Sequence, residues 1–230
     1  MRYAFSLIAL GCALFAIGVV QGGPMLVLVW LGGDFLLLGA AHWRTAHNIF
    51  GKRKSGELPG WSRLLFLPLL ICNQTIWLLT RLFSSEAASN AVTENLSVGR
   101  RLVAGEIEPG FENYVDLTAE FSEPRAARRL PDYVCFPILD GAAPSQDALE
   151  AAIRKLRPGK TFIHCAQGHG RTGLFALAVL LSWGRVRDSE EGLRLLQAAR
   201  PGIRLNRLQR LCIEAYQRRL RAQAPRPDGS

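Results

Sequence analysis

Nine consecutive residues carry the most reactive arrangement in the chain: His164-Cys165-Ala166-Gln167-Gly168-His169-Gly170-Arg171-Thr172. The preceding Thr161-Phe162-Ile163-His164 reads as a strand, and apolar helical spacing begins at Thr172. A strand-to-helix loop holding Gly168 and Gly170 can turn its amide N–H groups toward one centre, an anion nest at the positive end of a helix. Cys165 lies at the base of that nest. The same dipoles, with Arg171, favour thiolate over thiol, so a nucleophile is expected to be ready at neutral pH. The planar fork of Arg171 matches two oxygens of a phosphoryl group. Loop amides and arginine together stabilise charge on a group in transfer. Thiolate and arginine supply what a metal would, so no metal and no other cofactor is expected.

The elements that must hold this loop follow an alternating pattern. Short strands are expected at Leu102-Val103-Ala104, Tyr114-Val115-Asp116-Leu117, Tyr133-Val134-Cys135-Phe136 and Thr161 to His164. Helices are expected over 123–130, from Asp147 to Leu156, and over 172–183, 189–199 and 204–221. Asp147 reads as a helix N-cap. Strands alternating with helices predict an α/β fold, a mostly parallel sheet flanked by helices with its chemistry at the strand C-terminal ends.

The chain in front of this domain has another character. The protein has 230 residues, 49% of them hydrophobic, and a formal net charge of +9. Residues 3–43 contain one charged side chain, Asp34, and residues 64–80 contain none. These proportions exclude a disordered chain, a collagen-like chain and a small disulfide-stapled domain. The five cysteines are scattered without a Cys-x-x-Cys pair, which argues against a zinc site. Arginine runs such as Arg128-Arg129 lack the aromatic interleaving or finger spacing of a nucleic-acid binder, so no nucleic-acid partner is expected. Apolar stretches at 4–20, 25–43 and 61–83 predict two to three transmembrane helices, since about 17–25 residues cross a bilayer core. No small-x-small cleavage site follows the first stretch and a second begins at once, which disfavours a signal peptide. The expected layout is a membrane region over 1–83, a polar linker over 84–95, a catalytic domain over 96–221 and a disordered tail over 222–230. Asp34 is expected to bond the Asn73-Gln74 pair. The basic loop 44–60, with Arg44, Lys52, Arg53 and Lys54, is expected in the cytoplasm. The side of the catalytic domain depends on whether 61–83 spans fully or re-enters, and the sequence leaves it open. The expectation is a multi-pass protein of a bacterial inner membrane.

The segment from His164 to Thr172 resembles the His-Cys-x2-Gly-x2-Arg-Ser/Thr signature of the protein tyrosine phosphatase superfamily, of dual-specificity type, over roughly residues 96–221. The resemblance implies a phosphocysteine intermediate on Cys165, phosphate bound by Arg171 and the backbone of Ala166, Gln167, Gly168, His169 and Gly170, a Thr172 hydroxyl bonded to the sulfur, and His164 orienting the loop from below. It also implies a general acid on an upstream loop. Asp140 is preferred, because Asp132 precedes the strand and Asp147 suits a cap. Asn206, after Arg200-Pro201, is implied to support the phosphate loop, and Gln209 to position water. Ala166 stands where the phosphoinositide branch has lysine, while His169 is basic as in that branch. The stretch from Val115 to Phe121 resembles the phosphatidylglycerophosphate phosphatase group more loosely. A membrane-tethered phosphoprotein phosphatase is the leading expectation. A membrane phospholipid phosphatase and a non-catalytic phosphate-binding adaptor are the alternatives. A sulfurtransferase is disfavoured by the Arg-Thr ending.

Overall fold

The computed structural model describes residues 2–223. Its sheet has the order β1-β2-β5-β3-β4, built from β1 (Ser89–Thr93), β2 (Leu96–Arg100), β3 (Asn113–Thr118), β4 (Tyr133–Ile138) and β5 (Thr161–Cys165). Only β1 is antiparallel to its neighbour; the other three pairings are parallel. The central strand, β5, ends at Cys165. Side chains alternate along it, so neighbours in sequence serve opposite faces. Ile163 and Cys165 join the larger core, with α6 (Gln146–Ile153), α7 (Gly170–Ser182), α8 (Ser189–Ala199) and α9 (Arg207–Gln223) packed around it. Every residue of α7 from Arg171 to Leu181 is buried, which accounts for apolar character on all its faces. Phe162 and His164 face the other side, against the ring of Tyr114 at 5.3 and 5.0 Å.

Several expected boundaries are corrected. The polar stretch 84–95 is not only a linker, because it contains the edge strand β1. The strand expected at 102–104 lies at 96–100 instead, and Ala104–Glu106 form one 3-10 turn. Glu106 imposes that turn by accepting from the Val103 amide and pairing with Arg100. The helix expected over 123–130 is a single turn, α5 (Arg125–Arg128). The cap of α6 is Ser145, which accepts from the Ala148 amide at 3.3 Å, while Asp147 pairs with Arg219. Of the expected tail, residues 222 and 223 belong to α9, and the rest lies outside the described residues.

The apolar front forms a hairpin of α1 (Arg2–Gln21) and α2 (Leu26–Trp43), joined by a 3-10 turn with Pro24 in its first positions. Tyr3–Gln21 and Gly23–Trp43 are both long and apolar enough to cross a membrane. The two helices approach closely. A Cβ at Gly32 would lie 2.7 Å from the Gly11 carbonyl oxygen, so only glycine fits there. The stretch 61–83 is not one helix. It divides into α3 (Gly60–Leu65) and α4 (Leu67–Phe83), with the break at Phe66 just before Leu67-Pro68. Asp34 does turn toward this segment, but its partner is not the Asn73-Gln74 pair. The buried carboxylate accepts from the Leu69 amide at 3.3 Å. That amide belongs to the first turn of α4 and has no partner within the helix, and a carboxylate there also meets the positive end of the helix dipole.

The basic loop 44–60 is likewise more than a membrane-flanking segment. Lys52 is buried, and its ammonium donates to Asp116 Oδ2 at 2.5 Å, to Thr118 O at 2.7 Å and to Thr118 Oγ1 at 2.8 Å. Tyr133 donates to the same carboxylate oxygen. Burial alone would raise the Asp116 pKa, but the Lys52 charge outweighs it and holds the carboxyl down at about 2. Glu57, in the same loop, pairs with Arg128. The loop is therefore part of the sheet domain. Lys52→Met should strand a buried carboxylate and cost about 3–5 kcal/mol. Denaturation of the detergent-solubilised full chain checks this, and Lys52→Met combined with Asp116→Asn should recover much of the loss.

Candidate active site

Cys165 is 3% exposed at the C-terminal end of β5. The loop after it curls back, so that the Gly168 amide donates to Cys165 Sγ at 3.3 Å. Gly168 has φ +78°, and a Cβ there would lie 2.4 Å from the Gly99 backbone, so the tight curl depends on glycine. The carbonyls of Gln167 and Gly168 point outward and accept from buried Arg200 at 2.9 and 3.0 Å. Arg200 also donates to Ala87 O and Asn90 Oδ1, which ties the loop to the edge strand. The predicted Arg-Pro segment thus braces the loop from outside.

Arg171, in the first turn of α7, is 2% exposed. Its Nη1 and Nη2 donate to Glu120 Oε2 and Oε1 at 2.9 and 2.8 Å, and Nη1 also donates to Ile138 O. On its other edge Nε lies 3.2 Å from Asp140 Oδ1. Burial works against the charge of Arg171, but Glu120, Asp140 and Cys165 outweigh it and raise its pKa well above the ordinary value. Burial would likewise raise Glu120, but Arg171 holds its carboxyl below the usual range. Glu120 was missed in the sequence. It sits just past the C-terminal end of β3, where chemistry in such sheets gathers, and that position was the available signal.

Asp140 follows β4 in a turn closed by Gly141. Its side chain is 69% exposed, and its carbonyl oxygen lies 3.0 Å from His42 Nε2. Asp132 pairs with Arg157 and Asp147 with Arg219, so neither joins the site. Asn206 caps α9 by accepting from the Gln209 amide at 3.0 Å and donates to Gly141 O at 2.8 Å. It therefore supports the Asp140–Gly141 turn and not the phosphate loop. Gln209 is buried and faces Gly170. The expected bond from Thr172 to the sulfur is absent. Thr172 Oγ1 is buried without a partner among the described residues, and the sulfur accepts from the Gly168 amide instead. His169 lies 2.7 Å from Glu86 Oε2, so any positive charge it carries is matched there and is not free for a second anion.

Beneath the loop, on the opposite sheet face, His164 is fully buried, with Nδ1 3.4 Å from Cys165 O and Nε2 3.8 Å from Glu123 Oε2. Burial pulls His164 down to about 4. Burial and the nearby Asp116 carboxylate push Glu123 up to about 8, against its pairing with Arg101. Cys135 is not placed to protect Cys165. It sits opposite Asp116, which sits opposite His164, so two strand spacings of about 4.8 Å each intervene, beyond the roughly 7 Å Cα limit for a disulfide.

A cavity of about 600 Å³ opens onto Cys165 and Arg171. Much of its wall comes from the front of the chain: Tyr3 and Leu7 of α1, Phe35 and Leu38 of α2, and Leu69, Cys72, Ile76 and Trp77 of α4. Trp77 packs with Phe121 and Ala166, and Gln167 donates to Thr80 Oγ1 at 3.0 Å. Helix α4 thus touches the loop after β5 directly.

Two expected outcomes follow from this geometry. Glu120→Ala should lower kcat/KM for an aryl phosphate by about 100-fold, the size of effect seen when a catalytic group is displaced by about 1 Å. Alkylation of Cys165 by iodoacetate should continue, which separates positioning of Arg171 from loss of the nucleophile. The second outcome concerns pH. Glu123 takes up its proton more readily in the folded than in the unfolded chain, which lowers stability as pH rises from about 4.3 toward 8, but buried His164, held down at about 4, raises it until about 6.5, so the net fall should lie between about pH 6.5 and 8. Thermal unfolding across that range should show the slope, and Glu123→Gln should remove it.

No family model and no curated protein matches the chain. Among solved structures it is similar to Tk-PTP in its active form, at 22% identity and TM-score 0.52, covering 57% of this chain and 97% of that one. It is also similar to a variant of human DUSP28, at 17% identity and TM-score 0.54, covering 60% of this chain and 100% of that one. The likeness to PTPMT1 in complex with PI(5)P is at 14% identity and TM-score 0.50, covering 60% and 100%. With the strand order and the loop after β5, these likenesses identify the domain as having the dual-specificity phosphatase fold.

Proposed function

We propose that this protein is a membrane-anchored, cysteine-dependent phosphomonoester hydrolase whose substrate is a phospholipid carrying a terminal phosphate. The observation that carries the reading is the cavity over Cys165 and Arg171, walled by apolar side chains of α1, α2 and α4. A phosphoprotein, the leading expectation from sequence, would need an open and polar approach to the cysteine. An acyl chain suits the apolar wall instead.

In this reading the Cys165 sulfur attacks phosphorus and the bond from phosphorus to the ester oxygen breaks. Asp140 protonates the departing alcohol. Arg171 and the loop amides hold the phosphoryl oxygens, while Glu120 keeps Arg171 in place. Water then attacks phosphocysteine, Asp140 takes its proton, and inorganic phosphate leaves; Gln209, bonded to the Asn206 amide and the Ala142 carbonyl, holds the wall of the site instead of that water. The α1–α2 hairpin returns the chain to the side of the membrane on which it began. Lys52 and Glu57 then bind the loop after α2 to the sheet domain, so the N-terminus and the site share one side. With Arg44, Arg53 and Lys54 in the same loop, that side is the cytoplasm.

The test uses the full chain in phosphatidylcholine vesicles. Phosphatidic acid, phosphatidylglycerophosphate, a tyrosine-phosphorylated peptide and an aryl phosphate are supplied in turn. At least one lipid should be hydrolysed with kcat/KM well above the peptide, and Cys165→Ser should abolish turnover. Asp140→Asn should lower lipid turnover by about 10²–10⁴-fold and aryl phosphate turnover far less, because an aryl oxide leaves without a proton. A preference for the peptide would favour the phosphoprotein reading. No turnover of any substrate would leave only a phosphate-binding adaptor.

A further inference from the structure

Helix α4 has two apolar faces, and only one of them is covered. Leu69 and Trp77, each 3% exposed, face the sheet domain. Leu67, Ile71, Leu78 and Leu82 recur at spacings of four, seven and four on the opposite face, 40%, 56%, 43% and 74% exposed. An apolar helix face of this length calls for a partner.

A full span does not cover it. Along its inner face α4 touches Phe121, Ala166 and Gln167, and Arg81 near its end pairs with Glu106. Arg101 stacks over the Trp77 ring at 5.0 Å. Hydrocarbon around α4 would immerse these charged and polar groups, which is costly. One face can meet lipid only if the helix lies at the bilayer surface.

Two further features point to an anionic lipid surface. The first is continuity. Helix α2 packs on this segment through the Asp34–Leu69 bond and a bond from Trp30 Nε1 to Leu65 O at 2.6 Å. The exposed face of α4 thus adjoins the two helices of membrane-spanning length. The second is charge. A cavity of about 480 Å³ runs beside α4, lined among others by Ile71, Gln74, Phe121, Arg63, Arg101 and Glu120, the last with both carboxylate oxygens held by Arg171. Arg101 is engaged by Glu123, but Arg63 makes no ion pair among the described residues. An unpaired guanidinium beside apolar Ile71 suits a phosphate headgroup whose acyl chain runs along α4.

We propose that the outer face of α4, with Arg63 at its head, is a contact surface for an anionic phospholipid bilayer and holds the mouth of the catalytic cavity at headgroup level. The inference rests on the reading of α1 and α2 as a membrane anchor. A photoreactive benzoylphenylalanine replaces Leu78 or Leu82 in the full chain, in phosphatidylcholine vesicles containing phosphatidylglycerol. Leu208, on α9 and 50% exposed, is the control position. Illumination should give phospholipid adducts at 78 and 82 but not at 208. Arg63→Gln should lower the phosphatidylglycerol share of the adducts about five-fold. Adducts to a second copy of the chain, or no lipid adduct at 78 and 82, would overturn the inference. Vesicle flotation reads the anchor separately. Cys165→Ser protein should give the same adducts, so a failure of the catalytic reading stays distinguishable.

Discussion

The placement of the site against the front of the chain depends on one buried ion pair, Lys52 with Asp116. Two charges without water are tolerated only because both are fully engaged: the ammonium by a carboxylate, a carbonyl and a hydroxyl, and the carboxylate also by Tyr133 and Thr118. The pair stitches the loop after α2 to β3. From that stitch Phe50 packs on Phe66, and Phe66 and Leu69 join Ala119 and Leu139 in one cluster. Helices α2 and α4 therefore stand over the C-terminal edge of the sheet, where the cysteine is.

The site uses the two faces of one strand for two purposes. On the helix-covered face Cys165 meets a loop whose amides turn inward and whose carbonyls are drawn outward by Arg200. On the other face His164, Asp116 and Glu123 crowd into a fully buried cluster beneath it. Arg171 lies between two carboxylates, Glu120 on one edge and Asp140 on the other. Glu120 is buried with it and fixes its plane, whereas Asp140 is largely exposed and lines the cavity. This division makes one carboxylate a brace and the other the candidate acid, although both lie within ion-pair distance of the same guanidinium.

In the proposed reading the cavity wall bears on substrate choice more than the loop does. The loop offers no cation beyond Arg171 toward the phosphate, since Ala166 is apolar and His169 is matched by Glu86. The wall offers apolar side chains from three helices outside the sheet domain. Preference for a lipid ester would then come from where the site is held rather than from the residues that contact phosphate.

The loop after β5 was legible because its pattern is local: a strand, two glycines, a cysteine and an arginine within nine residues. Helices α7 and α8 and strands β3, β4 and β5 were legible for the same reason, as periodicity acts over a few turns. Glu120, Arg200 as a loop brace, and Lys52 were not legible in these roles. Their partners lie 51, 32–33 and 64 residues away, and no pattern along the chain announces such pairings. Asp34 shows the boundary well. Its need for a partner in the third apolar segment followed from the cost of an isolated buried carboxylate. That the partner is an unpaired backbone amide at Leu69 and not a side-chain amide followed only from where α4 starts, at Leu67-Pro68. The sequence by itself determined a cysteine–arginine anion loop on an α/β sheet behind an apolar front. Tertiary structure alone decided that the front closes over the loop, because that closure rests on long-range burial of charge and apolar surface.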